Sequence, residues 1–279
     1  MSRRSRPLTL PFCPGLFDSH CHLHDEAFAE DVELVLEQAA AQGVCDILLP
    51  GTDLEDSRRI LDFIERHQGQ AGIRLHAALG FHPHEARHWS ADAARELREL
   101  LRAETVVALG EIGLDYHYDF SDREAQRRCF WEQLELASEL DLPLVIHDRE
   151  AHGDCLEILQ EARRQGLLRK QETGVFHCYS GSPEFAQELL KLGFYLGFDG
   201  PLTFKKAQQG PATLASLAAE RYLLETDAPY LSPEPLRGRR NEPSYLPLVA
   251  QRAAELRGLD LDSCVAESRA NCLRLFGLQ

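Results

Sequence analysis

Residues 15–23 read GLFDSHCHL, and residues 30–43 read EDVELVLEQAAAQG. The first stretch is a short apolar run that ends in polar side chains, which is typical of a strand in a buried parallel sheet. The second stretch repeats apolar residues at helical spacing and closes on Gly43, a common residue at the end of a helix. The two stretches together predict a strand followed by a helix.

The same combination recurs along the chain. Seven further apolar runs, each followed by a helical pattern, are VCDILLPGT (44–52), LHAALGFHPH (75–84), VVALGEIGLD (106–115), LPLVIHD (142–148), GVFHCYSG (174–181), FYLGFDG (194–200) and YLLETDAPY (222–230). The predicted strand ends are His20, Pro50, Phe81, Glu111, His147, His177, Gly200 and Asp227. Their average spacing is about thirty residues, which is the length of one βα unit.

Eight such units predict an α/β protein that folds as a closed (β/α)8 TIM barrel. No break in composition indicates a linker, so we expect one domain over residues 1–279, with residues 1–15 as an extended lead-in. An open, doubly wound sheet is the alternative. That fold would carry a glycine-rich nucleotide-binding turn after an early strand, and neither G-x-G-x-x-G nor G-x-x-x-x-G-K-[ST] occurs in the sequence.

The composition limits the partners and the compartment. A formal net charge of −15 opposes nonspecific attraction to nucleic acid or to anionic membranes, so a nucleic-acid substrate would need a local basic patch. Eight cysteines occur without C-x-x-C spacing, which favours reduced thiols and a cytoplasmic location. We expect no membrane span, no export signal after the arginine pair Arg3 and Arg4, and no obligate protein partner.

Side chains that bind metals follow several predicted strands, and the carboxyl ends of these strands meet at one mouth of a TIM barrel. These residues are His20, His22, Glu111, His147, His177 and Asp227. Alternate residues of a strand share a face, so His22 should join His20 while Cys21 points to the helices. His24 lies past the strand and is expected outside the coordination sphere.

Four imidazoles and two carboxylates exceed the needs of one tetrahedral zinc ion but fit two divalent ions that share a carboxylate. Strands one and eight are neighbours in a closed barrel, so one ion is assigned to His20, His22 and Asp227. The second ion is assigned to His147 and His177, and Glu111 from the middle strand is expected to bridge both ions. Imidazole ligands favour zinc or manganese over magnesium, although all three stay open.

Seven motifs occur in order along nearly the whole chain. They are DSHCHLH (18–24), GFHPH (80–84), GEIGLDYH (110–117), VIHDREA (145–151), FHCYSG (176–181), LLETDAPYL (223–231) and RGRRNEP (237–243). Together they resemble the signatures of the TatD family of metal-dependent hydrolases and deoxyribonucleases, within the amidohydrolase superfamily. The resemblance implies a TIM barrel with a two-metal site, the six ligands named above, and hydrolysis of DNA phosphodiesters from a 3′ end. Asp148 departs from the family pattern, in which serine commonly follows the histidine.

The predicted chemistry is attack by a metal-activated water, with Asp227 as proton acceptor and Glu111 as the second catalytic carboxylate. Strand parity turns Cys178 away from the mouth, and no G-x-S-x-G motif occurs, so neither a cysteine nor a serine nucleophile is expected. These features favour a phosphodiesterase or 3′-5′ exodeoxyribonuclease. Hydrolysis of an amide or lactone at the same site, and a noncatalytic metal-binding scaffold, are the alternatives.

Cationic and aromatic side chains after the strand ends would suit a DNA or nucleotide phosphodiester, because cations contact phosphate and aromatic rings stack on bases. The cations are Arg149, Lys205, Lys206, Arg237, Arg239 and Arg240, and the aromatic residues are Phe81, Tyr116, Tyr118, Tyr179, Phe204 and Tyr230. From these sets and the GFHPH motif, the predicted substrate contacts are His82, His84, Arg149, Tyr179 and Arg239.

Overall fold

A computed structural model describes residues 10–118 and 120–279. In this part of the chain the strands are β1 Leu16–Asp18, β2 Val44–Pro50, β3 Arg74–Leu79, β4 Val106–Asp115, β5 Leu144–Arg149, β6 Gly174–Phe176, β7 Phe194–Phe198 and β8 Tyr222–Leu224. The α-helices are α1 Val32–Ala41, α2 Leu54–His67, α3 Ala91–Leu100, α4 Arg123–Leu140, α5 His152–Arg164, α6 Pro183–Lys191, α7 Gln209–Ser216, α8 Leu246–Arg257 and α9 Leu261–Phe276.

The strands form one parallel sheet in which each strand pairs with the next along the chain, from β1 to β8. The sheet closes between β8 and β1. The backbone N–H of Ser19 donates to the carbonyl of Leu224 over 3.2 Å, and Cys21 forms a parallel bridge with Ala228. This architecture confirms the predicted α/β TIM barrel.

Two apolar cores follow from the alternation of side chains along the strands. One core fills the barrel and is closed at the amino-terminal ends of the strands by α9. Its buried members are Phe17, Leu48, Ala78, Val107, Ala108, Val145, Val175, Tyr195, Leu223, Cys272, Leu275 and Phe276. The other core lies between the strands and the surrounding helices and includes Cys21 as expected, although Cys21 lies past the end of β1 and has the same parity as Phe17, which points into the barrel. The carboxyl-terminal mouth stays open for polar side chains.

Helix α4 shows how local sequence places these elements. The Asp122 side chain accepts a hydrogen bond from the backbone N–H of Ala125 over 2.9 Å and so caps the first turn. Phe130 and Leu134 lie four residues apart and are buried on one face. The helix ends where Asp141 adopts a positive φ of 51°. Its bounds agree with the helical pattern in the sequence.

The lead-in predicted for residues 1–15 falls largely outside the described residues. Residues 10–15 contain no helix and no strand until β1 begins at Leu16. None of the helices in the described ranges is long and apolar enough to cross a membrane.

Candidate metal centre

The first group of metal-binding side chains lies at the seam where β8 meets β1. The backbone N–H of Asp227 donates to the carbonyl of His20 over 2.8 Å, which holds the two segments side by side. Oδ1 of Asp227 lies 3.6 Å from Nε2 of His22 and 3.8 Å from Nε2 of His20. The structure therefore brings together the three residues assigned to one ion. His24 lies outside this group, because its Nε2 is 3.1 Å from Oδ1 of Asp56.

Glu111 occupies the centre of the site. It lies inside β4 rather than at the strand end that the sequence pattern suggested, and its side chain is buried. Oε2 is 3.4 Å from Nε2 of His20, whereas Oε1 is 2.8 Å from Nδ1 of His147 and 2.8 Å from Nε2 of His177. One carboxylate thus faces imidazoles on both sides, an arrangement suited to bridging two ions.

Buried imidazole nitrogens without hydrogen-bond partners provide a test of whether metal fits. Within the described residues, neither nitrogen of His20 nor Nδ1 of His177 has a partner, and the two rings stack with centroids 3.9 Å apart. An unsatisfied buried polar group costs about 1–3 kcal/mol. Coordination through Nε2 would satisfy that nitrogen of His20, and zinc or manganese accepts imidazole together with carboxylate oxygen. The residues present therefore fit divalent ions.

Asp115, at the end of β4, fixes the orientation of two histidines. Its Oδ2 is 3.0 Å from Nε2 of His147 and 2.9 Å from Nε2 of His84. A carboxylate that accepts the proton of one ring nitrogen leaves the other nitrogen free to coordinate. Burial would lower the pKa of His147, but the hydrogen bonds to Asp115 and Glu111 outweigh burial and raise this pKa to about 9.

The pKa shifts of His20, Glu111 and Asp227 favour the protonation states that metal binding requires. For His22, burial is outweighed by Asp227, which raises the pKa of that ring. Burial and the nearby His177 lower the pKa of His20 to about 4, so its ring is neutral at neutral pH. Burial would raise the pKa of Glu111, but the neighbouring imidazoles, His177 foremost, hold it well below its usual value. Burial also opposes ionisation of Asp227, yet the nearby rings of His22 and His20 lower the pKa of this carboxyl. Metal ligands must be deprotonated, as His20, Glu111 and Asp227 are.

The two histidines of the GFHPH motif occupy different environments. His82 is buried, and its Nε2 lies 3.5 Å from Oε1 of Glu111. With Glu111 and His147 it forms another possible set of metal ligands, which differs from its predicted role as a substrate contact. His84 is partly exposed beside Asp115, so it stays available to a substrate.

The predicted orientation of Cys178 is wrong. Strand β6 ends at Phe176, so the alternation of side chains does not extend to Cys178, whose φ is 47°. Its ligand atom and one carboxylate oxygen each of Asp199 and Asp227 all lie within 4.8 Å of one another. Burial raises the pKa of the Cys178 thiol well above its ordinary value, so the metal-free protein holds a neutral thiol.

The other predicted substrate contacts lie at different depths in the mouth. Arg149 is exposed, and its guanidinium carbon lies 4.7 Å above the ring of Tyr118. Tyr179 is buried, and its hydroxyl donates to the carbonyl of Ser182 over 2.6 Å, so this hydroxyl is not free for phosphate. Arg239 is exposed on the loop after β8. The structure thus leaves the two arginines accessible and encloses the tyrosine.

The sequence as a whole matches one protein family. Residues 17–277 match the family model described as TatD related DNase. The chain belongs to this family. Among its TatD relatives, the uncharacterized metal-dependent hydrolase YabD of Bacillus subtilis is 39% identical over 261 residues, which cover 94% of this chain and 98% of YabD. The 3′-5′ ssDNA/RNA exonuclease TatD of Erwinia tasmaniensis is 37% identical over 268 residues, which cover 94% of this chain and 100% of the relative.

A solved structure supports the same placement within the TatD family. The TatD homologue YjjV of Escherichia coli superposes with a TM-score of 0.86 at 32% identity, covering 95% of this chain and 99% of YjjV. The TatD family protein of Entamoeba histolytica gives a TM-score of 0.83 at 25% identity, covering 95% of this chain and 99% of that structure.

Two carboxylates of this TatD-family site were missed as functional residues by sequence reasoning. Asp115 follows Glu111 by four residues on β4, and strand parity places both on one face, so the signal was present. Asp18, the first residue of DSHCHLH, accepts hydrogen bonds from the backbone N–H of Thr226 over 2.9 Å and from its hydroxyl over 2.6 Å. No spacing rule indicates this long-range pair.

Proposed function

We propose that this protein is a divalent-metal-dependent phosphodiesterase that removes nucleotides from the 3′ end of single-stranded DNA. The observation that carries the proposal is the convergence of imidazoles and carboxylates at the barrel mouth, with the ring nitrogens of His20 unpartnered within the described residues. The exonuclease name of the Erwinia relative supports the substrate class. We also propose that the chain works as one domain and, because its eight cysteines are free, in the cytoplasm.

The proposed centre holds two ions. His20, His22 and Asp227 would bind one ion, as their mutual proximity allows. His147 and His177 would bind the other, since Nδ1 of His147 and Nε2 of His177 are 3.3 Å apart. Glu111 would serve both ions through its two oxygens, and His82 offers a further nitrogen to the second ion. These donors favour zinc or manganese, and magnesium is the weaker fit.

Divalent ions in this position supply Lewis-acid activation of a water molecule and of the phosphodiester oxygens. The protein contributes the proton transfer and the orientation of groups. Asp227 is ionised and accepts the proton of the attacking water. Asp115 accepts the proton on Nε2 of His147 and so directs the Nδ1 lone pair to the centre.

An aromatic surface beside the centre supports a single-stranded substrate. Tyr118 and Phe120 are 41% and 56% exposed, and their rings stack in parallel at 5.6 Å with an interplanar angle of 4°. Phe120 also lies 4.9 Å from the ring of His84, which connects this surface to the centre through Asp115. Unpaired bases stack on such rings, and the nearby Arg149 would contact phosphate.

The test is a digestion assay with single-stranded DNA labelled at its 5′ end. Full-length protein is stripped of metal and reloaded with zinc, manganese or magnesium before the reaction. We expect a ladder of products that shortens from the 3′ end, and no digestion without metal. An oligonucleotide with a blocked 3′ end should resist. Internal cleavage of the blocked oligonucleotide would contradict the exonuclease mode.

Variants connect the activity to the centre. His147→Ala and Asp227→Asn should abolish digestion, because each removes a proposed ligand. His67→Ala is the matched control, since this histidine lies at the end of α2 and contacts Gln70. Retained digestion by either site variant would contradict the proposal. The same would follow if the metal-loaded protein left DNA intact but hydrolysed amides or lactones.

A further inference from the structure

A second kind of donor set lies beside the histidine centre. Cys178, Asp199 and Asp227 follow the consecutive strands β6, β7 and β8, and one ligand atom from each lies within 4.8 Å of the others. Cys178 and Asp227 both have positive φ values, of 47° and 57°. The arrangement presents one sulfur and two carboxylate oxygens to a common point, whereas the histidine groups contain no sulfur.

One carboxyl oxygen of Asp199 is buried without a hydrogen-bond partner among the described residues. This oxygen is Oδ2, and Asp199 as a whole is 2% exposed. Burial foremost, and then the nearby carboxyls of Glu225 and Asp227, raise the pKa of Asp199 well above its ordinary value, so this carboxyl keeps its proton in the metal-free protein. An ionised carboxylate at this depth is costly without a partner, and a bound cation would displace the proton and offset that cost. The orphaned oxygen therefore points to a ligand that is positively charged.

We propose that Cys178, Asp199 and Asp227 bind a further divalent cation, distinct from the two ions of the histidine centre. Thiolate sulfur selects borderline and soft ions, so the site would take zinc, cobalt or cadmium in preference to magnesium. Binding replaces the thiol proton of Cys178 and the carboxyl proton of Asp199 with the metal and releases both protons to solvent.

The site borders a cavity that could supply the remaining coordination position. This cavity has a volume of about 330 Å³ and is lined in part by Tyr179, Phe198, Asp199, Lys206 and Pro211. Three protein ligands leave one position open in a tetrahedral zinc site. Water, or an anionic group of a molecule in the cavity, would occupy this fourth position. The ammonium group of Lys206, which also lines the cavity, would attract such an anion.

Cobalt provides a test of cysteine coordination, because its near-ultraviolet charge-transfer band requires a bound sulfur. Metal-free protein is titrated with Co²⁺, and the near-ultraviolet sulfur-to-cobalt charge-transfer band is followed. We expect the wild-type protein to develop this band and to bind three equivalents of cobalt. Cys178→Ser should lose the band, and Asp199→Asn should lose it or require a much higher cobalt concentration. Both variants should bind one equivalent less by elemental analysis.

Cys129→Ser is the matched control, because Cys129 is a buried cysteine on α4 that contacts the side chain of Gln133. It should keep the band, and circular dichroism establishes that each variant is folded. Absence of the band in wild-type protein saturated with cobalt would overturn the third site, whatever the variants do. Persistence of the band in Cys178→Ser would overturn it as well. Either result leaves the two-ion proposal intact, since the histidine sites give no sulfur band.

Discussion

Replacing Asp115 with asparagine should change the tautomer of His147 while keeping the shape of the side chain at position 115. In the wild-type protein Oδ1 of Asp115 accepts the backbone N–H groups of His117 and Tyr118, each over 2.9 Å. Oδ2 is the atom that meets Nε2 of both His84 and His147. In Asp115→Asn the amide oxygen must stay with the two backbone donors. The amide NH₂ group then faces His147 and donates to its Nε2.

A neutral imidazole that accepts at Nε2 carries its proton on Nδ1. That nitrogen of His147 lies 2.8 Å from Oε1 of Glu111 and is the proposed ligand atom, so the variant should block coordination until the proton is displaced. Removing the partner of a metal-binding histidine costs 10–100-fold in metal affinity, or about 1.4–2.8 kcal/mol. The measurement is competition between metal-free protein and a coloured chelator for zinc. One of the two histidine-site affinities should weaken by this factor, and digestion of DNA should recover as zinc is raised.

Asp92→Asn is the control for loss of one negative charge, because the Asp92 side chain is 85% exposed and pairs with Arg95 on the same helix. It should bind zinc with wild-type affinity. If folded Asp115→Asn also bound both ions with wild-type affinity, the tautomer argument and the assignment of Nδ1 of His147 as a ligand would both fail.

Three further predictions concern stability and substrate binding. In the metal-free protein the pKa of His20 is lowered to about 4 and that of His147 raised to about 9, from 6.5. Between pH 4 and 6.5 the unfolded state binds more protons than the native state at His20, so the free energy of unfolding rises with pH. Between pH 6.5 and 9 the native state binds more protons than the unfolded state at His147, so the free energy of unfolding falls with pH. Urea titrations across this range measure the effect, and His147→Asn should flatten the alkaline side. Phe120→Ala should weaken binding of single-stranded DNA by about 1–3 kcal/mol in a fluorescence titration, as expected for one lost stacking contact; unchanged affinity would exclude this ring from the interface. Phe276→Ala should lower the free energy of unfolding by about 3–5 kcal/mol through a cavity in the barrel core, while zinc affinity in the folded protein stays unchanged.

The fold could be predicted because each βα unit carries its own local signal. Apolar strands ending in polar residues, and helices closed by residues such as Gly43, are visible in short windows of sequence. The closure between β8 and β1 follows once eight units are counted. The strand ends were less accurate, since β1 stops two residues before His20 and β4 continues four residues past Glu111. Hydrogen bonding between neighbouring strands sets these limits. The register of that pairing cannot be predicted from the sequence of one strand alone.

In the candidate site too, some features could be predicted from general rules and others depend on three-dimensional packing. The grouping of His20, His22 and Asp227 was predictable from barrel closure, because the first and last strands of a closed barrel are neighbours, whereas strand parity does not extend to the two histidines past β1. The orientation of Cys178 was not, since the parity rule ends with the strand and a positive φ redirects the side chain. The partnerships of buried groups also depend on three-dimensional packing. His82 lies close to Glu111, which depends on how β3 and β4 are placed, and its contact with substrate stays a prediction.

An ion bound at the seam between β8 and β1, as proposed, would make metal occupancy a measure of completed synthesis and folding. Asp18 and Thr226, which join the seam, are 208 positions apart in the chain. A chain that stops before this point holds His20 and His22 but not Asp227, which completes their group. An ion at this position would link the segments that follow the first and last strands. Because a ligand that binds only the native state stabilises it by mass action, metal starvation should loosen the barrel first where its two ends meet.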